Sequence, residues 1–254
     1  MRIVGMIPAR LASTRLPRKV LLDIAGKPMV QHVYERATQS KHLSDVVVAT
    51  DNEEVFAAVE AFGGRAIMTS ADHASGTDRL AEVARALDCD LVVNLQGDEP
   101  LLQPEIIDAA IAPFLSEPGL RLGTIATPIH TLHEHLEPSA VKVVVDQRGF
   151  ALYFSRCPIP FFRFDPGTEL ADEAPRVHPK SALQPLKHIG MYVYTRETLL
   201  WMAALPRTPL EITESLEQLR ALENGCPIRV VTVDYSPIGV DTPEDLERVR
   251  KLLK

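Results

Sequence analysis

Short apolar runs separated by turn residues recur along the first hundred positions of the chain. Their length and bulky aliphatic members are typical of strands that a sheet buries on both faces. Apolar residues at helical spacing lie between the runs, and this alternation predicts parallel strands joined by right-handed crossovers. The predicted strands are residues 3–7, 46–50, 65–68 and 91–95, and the predicted helices are residues 29–38 and 51–62, a segment starting at Thr77 or Asp78, and residues 105–115.

The pattern becomes less regular in the middle of the chain. Short β-type segments at 122–127, 141–145 and 151–154 are joined by irregular linkers, and the proline-containing stretch 161–184 indicates a long excursion. Regular patterns then return. They predict a strand at 188–194, a helix at 197–205, an amphipathic helix at 210–220 that turns Ile212, Leu216 and Leu219 inward, a strand at 227–233, and a last helix that Thr242 caps and that runs to Leu253.

These elements predict an α/β fold. We expect a single domain over residues 1–254, Rossmann-like, with a mostly parallel central sheet flanked by helices and a smaller mixed β insertion, the irregular subregion lying at about 128–190. Of the residues, 46% are hydrophobic and 24% charged, which permits a sizeable core. A net charge of −7 argues against broad nucleic-acid binding.

Cysteine usage and hydropathy indicate the compartment. Cys89, Cys157 and Cys226 are odd in number and far apart, so neither a disulfide framework nor a zinc site is expected. A reducing cytoplasm fits this pattern. No apolar run reaches the roughly 18 residues that a membrane helix requires, so no membrane insertion is expected.

A polar cluster follows the buried run at 91–95. Gln96, Gly97 and Asp98 would stand at the carboxyl end of a strand, which is the edge where open α/β sheets bind ligands. A carboxylate there is a suitable ligand for Mg²⁺. Asp98 could equally be a turn or helix-entry residue, so both interpretations remain open at this point.

Two further segments are expected near the same edge. The loop 8–19 follows the first strand and carries Arg10, Arg15 and Lys19, which is typical of a phosphate cradle but also of a solvated basic loop. The turn Ser75-Gly76-Thr77 could contact a base through its main chain or could be an ordinary helix cap. Neither a Walker A motif nor GxGxxG occurs in the chain, which disfavours a dehydrogenase.

Taken together, these segments resemble the sugar cytidylyltransferases, and most closely those that act on 3-deoxy-manno-octulosonate (Kdo). The resemblance covers nearly the whole chain in order. Its motifs are Pro8-Ala9-Arg10 with Ser13, Arg15, Pro17 and Lys19, then the stretches 73–79, 94–100, 153–156, 188–192, 214–220 and 239–246.

The resemblance implies a fold of the nucleotide-diphospho-sugar transferase type and a nucleotidyltransferase reaction. CMP would pass from CTP to the anomeric hydroxyl of Kdo, giving CMP-Kdo and pyrophosphate and activating Kdo for lipopolysaccharide synthesis. A homodimer is implied, built by the irregular middle segment. The alternative is a cytidylyltransferase for another nonulosonic, sialic-type acid. A second alternative is a non-catalytic nucleotide-binding regulator. Such a protein would not need two carboxylates at the metal-binding edge of the sheet, so the presence of both Asp98 and Asp241 weighs against it.

The same resemblance assigns roles to individual residues. Arg10, Lys19, Asp98 and Asp241 are implied to be catalytic, with Mg²⁺ as cofactor held by Asp98 and Asp241. The implied nucleotide-binding residues are Pro8, Ala9, Arg10, Ser13, Arg15, Lys19, Ser75, Gly76, Thr77, Arg79, Gln96 and Asp98. The implied sugar-binding residues are Gln96, Arg156, His188, Tyr192, Glu217 and Gln218.

One position departs from the family pattern. The family usually has glycine between Pro17 and Lys19, where this chain has Arg18. Because arginine adopts positive φ less readily than glycine, either the loop has another shape here or positive φ is not required.

Overall fold

The computed structural model of the chain describes residues 1–12, 16–162 and 183–253. The predictions for Ser13 and Arg15, and most of the predicted excursion 161–184, lie outside the described residues. The strands are β1 Ile3–Ala9, β2 Asp23–Ile24, β3 Lys27–Pro28, β4 Asp45–Thr50, β5 Ala66–Met68, β6 Leu91–Asn94, β7 Leu122–Pro128, β8 Lys142–Val145, β9 Ala151–Ser155, β10 Leu186–Thr195 and β11 Arg229–Thr232. The helices are α1 Met29–Ala37, α2 Glu53–Ala61, α3 Gly76–Ala86, α4 Pro104–Ser116, α5 Leu132–Leu136, α6 Arg196–Ala204, α7 Pro209–Glu214, α8 Gln218–Glu223 and α9 Pro243–Leu252, with a short 3-10 turn at Lys19–Leu21.

The chain divides into two compact units. Unit 1 comprises Met1–Gly119, Met191–Ala204 and Ser236–Lys254, and unit 2 comprises Leu120–Gly190 and Leu205–Tyr235. Strand β10 therefore contributes residues to both units. The irregular subregion expected at about 128–190 falls within unit 2.

The sheet of unit 1 has the order β10-β6-β1-β4-β5. Strand β1 pairs in parallel with β4 and with β6, β4 pairs in parallel with β5, and β10 runs antiparallel to β6. The predicted parallel pairing of these strands is thus confirmed, as is the mostly parallel sheet flanked by helices. The strand interiors are almost wholly buried, which explains their unbroken aliphatic runs.

The register of β1 shows where a cleft opens. Its pairing with β6 ends at Met6, opposite Asn94, whereas its pairing with β4 continues to Ala9. Beyond Met6 the residues that follow β6 are no longer paired with β1 as a strand. The crevice outside the carboxyl ends of the strands is the usual ligand position in open α/β sheets.

The helix starts follow from local chemistry. The side chain of Asn52 accepts hydrogen bonds from the first turn of α2. Ser75 and Asp78 form a reciprocal capping box on α3, and Thr242 and Asp245 form another on α9. These caps satisfy backbone N–H groups that a helix leaves unpaired, so the starts could be predicted from neighbouring residues alone.

Unit 2 combines parallel and antiparallel pairing. Strand β7 pairs in parallel with β11, while β8 pairs antiparallel with both β9 and β10. This agrees with the smaller mixed β insertion expected from the sequence. Among the described residues, no helix combines the length and the apolar character needed to cross a membrane.

The predicted helix at 210–220 is wrong. Two short helices, α7 and α8, replace it, because Ser215 adopts a left-handed conformation with φ 52° and ends the first of them. Leu216 and Leu219 are buried as expected, but Ile212 is 55% exposed. Helical periodicity identified Leu216 and Leu219 correctly as buried but could not detect the break at Ser215, where α7 ends.

Candidate nucleotide and metal site

A cleft of about 440 Å³ lies at the carboxyl ends of β1 and β6 in unit 1. The tertiary structure brings together at its walls eight of the residues implied by the sequence, namely Pro8, Arg10, Lys19, Ser75, Gly76, Gln96, Asp98 and Asp241. Ala12, Val20, Ala74 and Gly97 line it as well and were not among the candidates. Their small or apolar side chains carry no chemical signal of their own.

Lys19 joins the two carboxylates that the sequence assigned to the metal. Its Nζ donates to Asp98 Oδ2 at 2.6 Å and to Asp241 Oδ1 at 3.0 Å. Burial lowers the pKa of Lys19, but attraction and hydrogen bonds from both carboxylates outweigh it and raise the pKa above its usual value. The ammonium therefore stays charged over the physiological range.

Local backbone contacts hold these carboxylates in place. The N–H of Val240 donates to the carbonyl of Asp98 at 2.9 Å, which joins the segment before α9 to the tip of β6. The N–H of Asp241 donates to the carboxylate of Asp245 at 3.1 Å. The cap of α9 thus also positions Asp241, which lies four residues before Asp245, whereas the bond between Val240 and Asp98 joins segments 142 residues apart.

The donor set fits Mg²⁺. Asp98 and Asp241 direct carboxylate oxygens at one common atom, and such oxygens are the ligands that Mg²⁺ prefers. Among the described residues, no group of three or more His, Cys, Asp or Glu side chains could hold a metal ion. Two carboxylates are the usual protein share of a magnesium site that substrate phosphates complete.

Arg10 reaches from the end of β1 to the loop before α3. Its Nη2 donates to the carbonyl of His73 at 2.5 Å and to that of Ser75 at 3.2 Å. The same loop is held from α3, where Glu82 accepts from the N–H of Ser70 at 3.0 Å and contacts His73. The loop that leads into α3 is therefore braced from two sides next to the cleft.

Arg79 lies beneath that loop and does not line the cleft. Its side chain is fully buried, its Nη2 donates to Asp51 Oδ2 at 2.7 Å, and its Nη1 contacts Thr69 and the carbonyl of Ser70. Thr77 is also buried, at 2% exposure. Ala9 is buried as well, in the pairing of β1 with β4. The nucleotide contacts assigned to these three residues stay predictions.

Arg18 occupies the position where the family usually has glycine. It adopts φ 59° and ψ 26°, the left-handed region, immediately before the 3-10 turn that carries Lys19. Its guanidinium contacts the carboxylate of Glu54. The loop therefore adopts positive φ here, and arginine does so at a conformational cost of about 1–2 kcal/mol.

The tip after β6 packs closely on β1. A Cβ atom added at Gly97 would lie 3.3 Å from Ile7 Cγ2 and 3.4 Å from the carbonyl oxygen of Pro8. The absence of a side chain at Gly97 lets the tip approach the end of β1 and holds Gln96 and Asp98 at the cleft. Burial, with a further contribution from Asp98, raises the pKa of the neighbouring Glu99 to about 7.

In unit 2, the side chain of Arg156 binds the segment that ends α7. Its Nε donates to the carbonyl of Glu214 at 2.7 Å, and its Nη2 donates to that of Ser215 at 3.3 Å. The Glu214 carboxylate accepts from Ser155 Oγ at 2.6 Å and from the N–H of Arg156 at 2.9 Å. Burial raises the pKa of Glu214, but these hydrogen bonds prevail and lower it. Glu214 lay inside a resembling motif yet was not among the candidates.

His188 is neutral in this environment. Its Nε2 lies 3.0 Å from Thr124 Oγ1, and its ring packs edge-on against Phe154 with 5.1 Å between centroids. The residue as a whole is partly exposed, but its ring is deep enough that desolvation lowers the pKa to about 3. A neutral imidazole can both donate and accept a hydrogen bond.

The remaining sugar candidates are distributed over both units. Glu217 and Gln218 follow Ser215 and Leu216 in unit 2, and Gln218 is 4% exposed. Gln218 Nε2 is buried without a hydrogen-bond partner among the described residues. Tyr192 belongs to unit 1, where it lies in register with Asn94 of β6.

Comparisons with known proteins give the family. The sequence model of the family described as Cytidylyltransferase matches residues 4–232. The 3-deoxy-manno-octulosonate cytidylyltransferase of Geobacter sulfurreducens is 56% identical over 254 residues and is covered completely, as is this chain. The enzyme of the same name from Trichlorobacter lovleyi is 54% identical, with 100% of this chain and 99% of the relative covered.

A solved structure agrees with these relatives. It is described as CMP:2-keto-3-deoxy-manno-octonic acid synthetase complexed with CTP, and it matches with a TM-score of 0.89 and 46% identity. The match covers 99% of this chain and 98% of that one. From its full-length similarity, its sheet and its cleft, we conclude that the chain belongs to the 3-deoxy-manno-octulosonate cytidylyltransferases of the cytidylyltransferase family.

Proposed function

We propose that this protein transfers CMP from CTP to the anomeric hydroxyl of Kdo and releases pyrophosphate. The observation that carries the proposal is the cleft in which Lys19 meets Asp98 and Asp241, in a chain that matches Kdo cytidylyltransferases over its full length. The product, CMP-Kdo, is the activated sugar for lipopolysaccharide synthesis. No described residue pattern favours a sialic-type acid over Kdo.

The reaction places a specific electrostatic demand on the cleft. The anomeric oxygen forms a bond to the α-phosphorus, the bond from that phosphorus to the pyrophosphate oxygen breaks, and the hydroxyl proton is released. Negative charge builds on the α-phosphoryl oxygens and on the leaving pyrophosphate, so catalysis is largely positioning and charge stabilisation. Arg10 and Lys19 supply positive charge at the walls of the cleft.

Mg²⁺ is the proposed cofactor, with Asp98 and Asp241 as its protein ligands. When bound, it would neutralise phosphate charge and orient the reacting oxygens. The chain contributes the two carboxylates and the backbone contacts of Val240 and Asp245 that hold them. These contacts orient the ligands before any metal arrives, which lowers the cost of assembling the site.

The base is proposed to bind at the start of α3. The Ser75 hydroxyl and its N–H are engaged with Asp78 in the capping box, so the side chain serves the helix start. Ser75 and Gly76 border the cleft, and main-chain groups there are held by Arg10. A braced main chain suits recognition of the polar edge of cytosine, and Gln96 adds an amide to the lining of the same cleft.

Arg156, His188, Tyr192, Glu217 and Gln218 are proposed to recognise the sugar acid. Kdo carries a carboxylate, which requires a cation, and several hydroxyls, which require neutral or acidic partners. The Arg156 guanidinium donates to main-chain carbonyls and pairs with no carboxylate among the described residues, so its charge stays available to an anion. Neutral His188 and the buried amide of Gln218 suit hydroxyl groups.

A pyrophosphate-release assay with CTP, Mg²⁺ and Kdo tests the activity. We expect turnover with Kdo to exceed turnover with sialic-type acids, and CTP to be preferred over UTP and ATP. Turnover only with a sialic-type acid would contradict specificity for Kdo and support the alternative specificity for that acid. Absence of turnover with every acid, in protein that binds CTP, would contradict the enzymatic proposal.

The assembly and the location are also proposals. We propose a homodimer formed through unit 2, which exposes the apolar side chains of Leu152 at 63% and Ile212 at 55%. Light scattering coupled to gel filtration would test it, and a monomer at micromolar concentration would contradict it. We also propose a cytoplasmic location, consistent with Cys89, Cys157 and Cys226 as free thiols. Cell fractionation would test this.

A further inference from the structure

Lys19 bonds the same two carboxylates that are proposed to hold Mg²⁺. We propose that Lys19 serves as a placeholder cation in the nucleotide-free protein, so that a divalent cation binds only when the triphosphate draws the ammonium away. This inference rests on the proposed function, because it concerns the order in which that site is filled. It assigns Lys19 a second role besides contacting phosphate.

Lys19 occupies one oxygen of each of the two carboxylates. Nζ lies 2.6 Å from Asp98 Oδ2 and 3.0 Å from Asp241 Oδ1, which are direct hydrogen bonds. Mg²⁺ would need these oxygens at about 2.0–2.1 Å. A metal ion held by these two oxygens would take the position of the ammonium. The two cations could not share the site, because cations at such a short distance repel each other strongly where the site is partly buried.

The charges explain why a placeholder is useful. Asp98 and Asp241 come from distant parts of the chain, and their oxygens approach one shared atom. Without a cation between them the two carboxylates would repel each other. Lys19, whose side chain is 15% exposed, neutralises part of that charge and keeps the pair together until the substrates arrive.

The triphosphate of CTP changes this balance. It offers the ammonium several new anionic oxygens, and it also offers oxygens to complete the coordination of the metal. When Lys19 releases the carboxylates, the affinity of the site for the metal rises. The metal would in turn raise the affinity of the site for the triphosphate. By linkage, each of the two ligands raises the affinity of the protein for the other by the same factor.

A Mn²⁺ titration of the nucleotide-free protein, followed by electron paramagnetic resonance, tests the proposal. Lys19→Met is expected to bind Mn²⁺ at least about tenfold more tightly than the unmodified protein, within the usual range of coupling between sites. Arg10→Met is the matched control, because Arg10 lines the same cleft but donates to carbonyl oxygens. It removes a nearby positive charge without freeing either carboxylate.

The outcomes separate the inference from its alternatives. A gain in Mn²⁺ affinity in Lys19→Met alone supports the placeholder. Equal gains in Mn²⁺ affinity in both variants would show a general electrostatic effect and would overturn the placeholder inference. No gain in either variant would overturn it as well. Lys19→Gln, which keeps a hydrogen-bonding side chain, gives the same comparison if Lys19→Met does not fold.

The titration contains neither CTP nor a sugar acid, so it is independent of turnover. Failure of pyrophosphate release together with the expected Mn²⁺ result would reject the proposed function and leave the placeholder intact. Normal turnover together with unchanged Mn²⁺ affinity in Lys19→Met and Lys19→Gln would reject the placeholder alone. A thermal melt adds a second readout, because Mn²⁺ should raise the melting temperature of Lys19→Met more than that of the unmodified protein.

Discussion

The guanidinium of Arg79 donates to the carboxylate of Asp51 at 2.7 Å inside unit 1, and the Arg79 side chain is wholly inaccessible to solvent. This ion pair joins α3 to the end of β4. Contacts of the same guanidinium with Thr69 and Ser70 extend the link to the chain after β5. The first turn of α3, which borders the cleft, is thereby held to the sheet.

We expect Asp51→Asn to lower the free energy of unfolding by about 3 kcal/mol, because it leaves the buried charge of Arg79 uncompensated. Arg65→Met is the matched control, since Arg65 pairs with Asp45 at the surface, where a pair contributes at most about 1 kcal/mol. Urea denaturation measures both. Equal losses in the two variants would contradict a structural role for the buried pair.

Asp98→Asn is expected to lower kcat/KM for pyrophosphate release at least about a hundredfold. The reason is that an amide oxygen carries no charge to hold Mg²⁺, and metal charge stabilisation is worth several kcal/mol. Asp88→Asn, an exposed aspartate outside the cleft, should leave the rate unchanged. Circular dichroism checks that both variants fold. Near-normal turnover of Asp98→Asn would contradict the assignment of Asp98 as a metal ligand.

Arg18 gives a test of the left-handed loop position. Arg18→Gly should change the free energy of unfolding by less than about 1 kcal/mol, because relief of strain offsets the greater freedom of the unfolded chain. Arg18→Val should destabilise by about 1–2 kcal/mol, since a β-branched residue fits poorly at φ 59°. We also expect Arg18→Val to raise the KM for CTP by displacing Lys19. Indistinguishable behaviour of the two variants would show that positive φ is not required.

His188 should make the stability of the protein depend on pH. Its pKa of about 3 in the folded protein lies below the value near 6.5 of an unperturbed histidine. Between these values the unfolded chain binds the extra proton, so stability falls as pH falls, by at most about 1.4 kcal/mol per pH unit. The loss should begin below about pH 6.5 and level off near pH 3.

His188→Asn removes this titration. We therefore expect the difference in unfolding free energy between the variant and the unmodified protein to be constant above about pH 7 and to shift in favour of the variant at lower pH. Urea denaturation at several pH values measures it. A difference that stays constant down to pH 4 would show that the His188 imidazole is not held neutral by the fold.

Local patterns were sufficient for most of the secondary structure. The aliphatic runs that became β1, β4 and β6 are buried on both faces, and burial on both faces is what such runs report. The cap residues Ser75 and Thr242 act on N–H groups only three positions away. For the same reason the break at Ser215 was missed, because its left-handed backbone interrupts an apolar spacing that is otherwise helical.

The sequence by itself determined the fold class, the order of most strands and helices, and, through its resemblance to a family, the candidate cations and carboxylates. Only the tertiary structure decided how they combine. It placed Lys19 between Asp98 and Asp241, buried Arg79 against Asp51, and gave Arg18 a positive φ. Hydrophobic periodicity records whether a position is buried, whereas the partner of a charged side chain depends on chain segments that meet only when the sheet forms.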